Sequence, residues 1–227
     1  MTFRLISAGV VIAIIASVII GPDAFFGNKV GIGTSKTTLA VDGVPMPTAI
    51  KAAGTQQTLI GGGMRMKWGF KVYVVGFYSH PNLVASLKKK YEANKGANLQ
   101  NLASDFGRGK PARTVLLRFQ RSVAASDISD ALGEALKPKV GAETSDKFQK
   151  FILDIVGSDR LEKGADIYIT CKGEKLFASL AEGNDSSSIS IKGLCPAVFE
   201  VYLGDKPVSP LAKKGFADFF EQDKSFP

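Results

Sequence analysis

Between Gly61 and Tyr78 the chain reads GGGMRMKWGFKVYVVGFY, and this segment constrains the fold more than any other. Residues 64–66 and 70–78 form two strand-type runs, the second rich in the Val, Tyr and Phe that suit a pleated, half-buried surface. Only Lys67-Trp68-Gly69 separates them, far too little for a parallel crossover, so the runs must pair as an antiparallel hairpin. With Gly69 in the left-handed conformation, a three-residue loop pairs Met66 with Phe70 and Arg65 with Lys71. Tyr73 then shares a face with Arg65 as a diagonal neighbour, about 7–8 Å away between backbones. A two-residue loop places the two side chains on opposite faces.

The remaining strand patterns also come in hairpin-linked groups. Residues 37–41 and 55–60 are short β-type runs, joined by a proline-bearing connection at Val44-Pro45-Met46-Pro47. Residues 114–120 form a further strand, 166–172 and 175–180 a hairpin about Gly173-Glu174, and 189–191 a last short strand. Helical periodicity marks residues 83–91 and 99–106. It recurs in a helix capped by Ser126 and stopped by Pro138, in another capped by Thr144 or Ser145, and in two near the C-terminus, at 196–202 and 210–220. Strands grouped in hairpins with helices in blocks predict an α+β fold, with an antiparallel or mixed sheet and helices layered on it.

The 227-residue chain is 45% hydrophobic and 22% charged, enough for one well-buried domain with a tail. The domain is expected over residues 37–220, with a tail at 221–227. Its net charge of +8 suits an anionic ligand or surface. The cations are scattered, however, and Lys88-Lys89-Lys90 reads as a solvated helix face, so nucleic acid is not an expected partner. Cys171 and Cys195 lie at no metal-binding spacing and His80 is the single histidine, so neither metal nor cofactor is expected. The two cysteines read as buried free thiols, the alternative being a disulfide, which needs a suitable compartment and close, properly oriented β-carbons that sequence does not give. His80, before Pro81, reads as a loop residue, and no nucleophile motif accompanies it.

Residues 1–25 form a separate unit. Leu5 to Ile20 is an uncharged run of sixteen residues after Arg4, closed by Gly21-Pro22-Asp23. It is longer than most signal-peptide cores and slightly short of the ~20 residues that cross a bilayer. Two destinations follow: a membrane, reached by an uncleaved anchor, or the secretory pathway or plastid, reached by a cleaved signal. Residues 26–36, with three glycines, read as a linker.

The hairpin from Gly61 to Tyr78 resembles the arginine-bearing hairpin of the chalcone isomerase superfamily. The strand-to-helix segment Leu116 to Leu136 and the stretch CPAVFEVYLGDKPVSPLAKKGF, Cys195 to Phe216, are similar to the same family, in the same order. The resemblance implies a chalcone isomerase-like open-faced β-sandwich. It also implies either an intramolecular lyase that closes a chalcone to a flavanone or a non-catalytic member that binds fatty acids. In the enzymes, the arginine is joined by a threonine, by a tyrosine, lysine and asparagine from a helix, and by a late hydroxyl. Here Arg65 is retained, the threonine position is Tyr73, the three helix positions are Ile128, Ala131 and Ala135, and the late hydroxyl position is Val201. These replacements resemble the fatty-acid binders, in which arginine and tyrosine hold a carboxylate.

The residue chemistry points the same way. A guanidinium takes a carboxylate bidentately and a phenol adds a third donor, whereas aliphatic groups suit an acyl chain better than proton transfer. Arg65 and Tyr73 are therefore the expected ligand-binding residues for a fatty acid or similar carboxylate, with Lys71 a possible secondary attraction and no catalytic residue assigned. An isomerase, or a scaffold protein with a vestigial pocket, are the alternatives.

Overall fold

The structure, a computed structural model, describes residues 37–93, 99–157 and 159–222. The expected anchor or signal and the linker lie outside these residues. Among the described residues, no helix is long and apolar enough to cross a membrane.

Among the described residues, eleven strands and six helices follow one another in hairpin-linked groups and helical blocks. The strands are β1 (Thr38–Val41), β2 (Val44–Pro47), β3 (Ala49–Ala52), β4 (Thr55–Lys67), β5 (Phe70–Ser79), β6 (Arg113–Phe119), β7 (Val123–Ala124), β8 (Arg160–Leu161), β9 (Asp166–Lys172), β10 (Lys175–Ser179) and β11 (Ser188–Ser190). The helices are α1 (Pro81–Ala93), α2 (Leu99–Arg108), α3 (Ala125–Val140), α4 (Ala142–Val156), α5 (Leu194–Leu203) and α6 (Pro210–Gln222). Seven strands form one sheet in the order β11-β10-β9-β6-β5-β4-β3, and every neighbouring pair is antiparallel. The fold is α+β, as the hairpin pattern required.

Alternation along the central strands divides the core in two. Val115, Leu117 and Phe119 of β6 and Ile167 and Ile169 of β9 face the helices. Leu116 and Tyr168 face the other way, toward Met46 and Val41 of the β1–β2 hairpin. On this second face Arg118 makes a two-pronged ion pair with Asp166, at 2.8 and 2.7 Å, and also donates to the Pro45 carbonyl, pinning the small hairpin to the sheet.

Among the helices, α5 is apolar nearly all round, with eight of its ten residues buried. A helix without a polar face must be enclosed, and α5 packs against α2, α3 and α6. Cys195 in its first turn is bonded to Cys171 of β9, which corrects the expectation of two free thiols. The sulfurs meet because β9 turns Cys171 toward the helix layer just where α5 begins. Closing a loop over a separation of 24 residues stabilises the fold by about 3–4 kcal/mol in the chain-entropy account.

Several local expectations are corrected. Val44–Pro47, expected as a connection, is strand β2, turned back on β1 through Asp42 and Gly43, both with positive φ; its prolines are tolerated in a two-stranded ribbon. Ser126 does not cap α3: the Ala125 amide bonds the Asp159 carbonyl instead. That helix passes Pro138 and ends at Gly141, whose φ of 79° redirects the chain into α4. Ser145 lies inside α4, where its hydroxyl ties the two helices by donating to the Gly133 carbonyl at 2.8 Å. His80 is more than a loop residue, since its Nδ1 accepts the Asn82 amide at the start of α1. The last helix extends to Gln222, into the segment expected as tail.

Candidate ligand-binding site

The hairpin β4–β5 carries the site, and its register differs from the sequence expectation. The turn has two residues, Trp68 (φ 50°) and Gly69 (φ 80°), with Lys67 opposite Phe70 and Met66 opposite Lys71. Positive φ at both central positions matches the right-handed strand twist. Continued without interruption, this register would set Arg65 against Val72 and put Tyr73 on the far face. A β-bulge between Met66 and Arg65 absorbs Val72 as an extra residue, so Arg65 lies directly opposite Tyr73. The two side chains share a face after all, in closer register than the diagonal arrangement expected. The Arg65 guanidinium carbon sits 5.7 Å from the centre of the Tyr73 ring.

The glycine run that precedes Arg65 has a packing role. A Cβ at Gly63 would stand 2.4 Å from the Leu211 backbone, and one at Gly215 only 1.9 Å from the Gly62 carbonyl oxygen. Helix α6 therefore crosses β4 backbone to backbone, which side chains at these positions would prevent. The approach places the Ser209 hydroxyl where it donates to the Met64 carbonyl at 2.9 Å and accepts the Ala212 amide, capping α6. It also places the Val208 carbonyl where Arg65 donates one Nη1 hydrogen bond, at 2.7 Å.

A third polar group completes the cluster, and sequence reading missed it. Tyr202 of α5 reaches the sheet, and its hydroxyl lies 3.3 Å from that of Tyr73. Position 201, expected at the late hydroxyl site, is instead an aliphatic lining residue beside it. The spacing Val198-Phe199-Tyr202 on a helix, with all three buried, is the signal that places Tyr202 on the inward face. Burial pushes the Tyr73 phenol up from its usual range, against the opposing pull of the Arg65 charge and the Tyr202 hydrogen bond. Burial pushes the Tyr202 phenol well up also, reinforced by Tyr73. Both phenols are therefore protonated donors at neutral pH. When one donates to the other, one hydroxyl proton remains for an acceptor.

Arg65 and Tyr73 border a groove of about 630 Å³ whose helical wall includes Ile128 and Ala131 of α3. Arg65, Tyr73, Ile128 and Ala131 thus meet as expected. Ala135 packs at the margin of the helix-side core, and Lys71 is exposed and does not line the groove. Beyond Tyr202, between α3, α4, α5 and the sheet, lies an apolar gap of about 10 Å³ edged by Leu132, Leu136, Phe148 and Val201. That gap holds roughly one water-sized sphere, so a chain entering it requires the helices to part. Among the described residues, Arg65 has no acidic partner, and no group of three metal-ligating side chains is assembled.

An antiparallel sheet with helices banked on one face and, among the described residues, a small hairpin on the other is an open-faced α+β sandwich. The chain belongs to the chalcone isomerase-like family, whose model matches residues 38–216. It is 25% identical over 195 residues to fatty-acid-binding protein 1 of Arabidopsis thaliana, covering 78% of this chain and 67% of that protein. The fold resembles the crystal structure of an Arabidopsis thaliana fatty-acid binding protein, with a TM-score of 0.60 and 22% identity, over 78% of this chain and 93% of that one.

Proposed function

We propose that this chain binds a fatty acid or similar carboxylate, with Arg65 and Tyr73 as the ligands of the head group and Tyr202 supporting Tyr73. The observation that carries the reading is Arg65 itself. It shares a face with a protonated buried phenol, borders a groove, and has no acid to neutralise it among the described residues. A carboxylate supplies that charge and accepts the spare guanidinium and hydroxyl protons, and charge-assisted hydrogen bonds of this type are worth about 1.5–3 kcal/mol each. The acyl chain would run against Val72, Val123, Ile128 and Ala131, the aliphatic part of the groove. An isomerase would need polar groups at two of these positions, and Ile128 and Ala131 supply none.

The apolar segment from Leu5 to Ile20 would deliver the domain to a membrane system, as an anchor or as a signal. The Cys171–Cys195 disulfide supports an oxidising compartment on that route, because such bonds rarely persist in the cytosol.

The test is native mass spectrometry with lipid extraction on the full chain, beside Arg65→Ala and Tyr73→Phe, with chalcone cyclisation assayed on the same samples. Fatty acid retained by the wild type and lost from the variants is the expected result. Rapid cyclisation with no lipid retained would make the protein an isomerase, and neither activity would leave the scaffold reading.

A further inference from the structure

At the turn of the β4–β5 hairpin, Trp68 is 86% exposed, Phe70 60% and Met66 43%. They are three of the seven large hydrophobic side chains exposed on the described surface, and they fall within five consecutive residues. Trp68 is also a bulky side chain at φ 50°, a backbone region that L-residues other than Asn and Asp seldom occupy. Neither burial nor backbone preference accounts for this choice, and an outlier of this kind points to a use at the surface.

The charges around the turn are of one sign. Lys67 and Lys71 flank it, and the Lys67 ammonium lies 4.7 Å from the Trp68 ring centre. Arg121, from the segment after β6, lies 5.4 Å from that of Phe70. No acidic residue occurs between Met64 and Val74 or between Arg118 and Ala125. The acids nearest in the groove, Asp127, Asp130 and Glu134, belong to α3 on its other wall. A turn of aromatic rings flanked by cations, with no acid of its own, matches the headgroup layer of an anionic bilayer. There the rings sit among the upper acyl carbons and the cations meet lipid phosphate.

We infer that the β4–β5 turn is a membrane-docking tip, which inserts Trp68, Phe70 and Met66 into the surface of an anionic bilayer while Lys67, Lys71 and Arg121 contact its phosphates. The groove is lined by Lys67, Trp68, Phe70 and Arg121 as well as by Arg65 and Tyr73, so docking sets its mouth against the lipid. This inference goes beyond the carboxylate site and stands without it.

Trp68 is the single tryptophan of the chain, so its fluorescence reports the tip even if another segment also binds lipid. The full-length protein is mixed with vesicles of phosphatidylcholine alone or with added phosphatidylglycerol, and Trp68 emission is read with acrylamide in the water or brominated acyl chains in the bilayer. The expected result is a blue shift, protection from acrylamide and quenching by brominated lipid, all stronger with phosphatidylglycerol. Lys67→Gln and Lys71→Gln should each raise the lipid concentration for half-protection by about fivefold, and Phe70→Ser by about tenfold. Protein that sediments with vesicles while Trp68 stays open to acrylamide overturns the inference, as does failure to bind vesicles. Protection that grows with protein concentration in the absence of lipid also overturns it, by making a second copy the occupant. No fatty acid enters the readout, so failure here is distinct from failure of the carboxylate site.

Discussion

Arg65 and Arg118 stand on opposite faces of one sheet, and their surroundings differ in kind. Arg118 is neutralised: Asp166 takes two of its prongs and the Pro45 carbonyl another donor. Among the described residues, Arg65 has a single carbonyl, that of Val208, and the face of a tyrosine ring. The first arrangement fastens a hairpin to the sheet, since the charge is balanced by an acid of the same chain and a further donor holds the hairpin carbonyl. The second leaves guanidinium donors and a positive charge at the edge of a groove, where a carboxylate from outside would complete the set. Neutralisation by an acid of the same chain thus separates an arginine that holds the fold from one that, on the proposed reading, would hold a ligand.

The largest expected effect breaks the neutralised side. Asp166→Ala leaves Arg118 without its counter-ion in a partly buried position and should lower unfolding stability by about 3 kcal/mol, read as a shift in urea midpoint at unchanged slope. Fatty-acid affinity of the folded fraction should stay within a factor of two or so, because this face does not line the groove. Arg65→Ala should do the reverse. Fatty-acid affinity, followed by titration calorimetry, should fall about 10- to 100-fold, while stability changes by less than about 1 kcal/mol. Equal losses of stability in the two variants would erase the distinction between the two arginines.

Tyr73→Phe sharpens the same comparison. Removing the hydroxyl strips one donor from the ligand side and should weaken fatty-acid binding about five- to tenfold, with a stability cost of about 1 kcal/mol. The smallest effect near neutrality is that of pH. Tyr73 and Tyr202 have folded-state values raised above the ordinary tyrosine value of 10.0, so their folded states hold protons that the unfolded chain releases. Their contribution is constant below about pH 10 and is lost as pH rises further toward the folded values. Stability measured from pH 7 to 9 should therefore be flat on their account and decline above pH 10, less steeply in a Tyr73→Phe, Tyr202→Phe double variant. A rise in stability beginning near pH 8 would instead mean that a phenol of this cluster ionises early in the folded state.

The site was legible where chemistry follows from residue type and strand alternation. Arg65, Tyr73, Ile128 and Ala131 were expected together and do border one groove. Tyr202 escaped because reading α5 at one position for the hydroxyl stopped at Val201, although the apolar stripe of the helix already turned the next residue inward. The small hairpin β1–β2 escaped because Pro45 and Pro47 argue against a strand. Asp42-Gly43 between two apolar runs is itself a turn signal of the kind that outweighs them.

The sequence by itself determined the class of fold, through hairpins too short to cross over and helices too periodic to be strands, together with the kind of chemistry proposed for Arg65 and Tyr73. Tertiary structure decided the rest. The two-residue turn alone would have parted Arg65 from Tyr73, and the bulge at Val72 reunited them. A bulge costs one unpaired residue and is repaid only by what the strand packs against, which local sequence does not contain. The same holds for Cys171 and Cys195. Their pairing depends on where β9 passes under the first turn of α5, a geometry that exists only when the sheet and its helices have met.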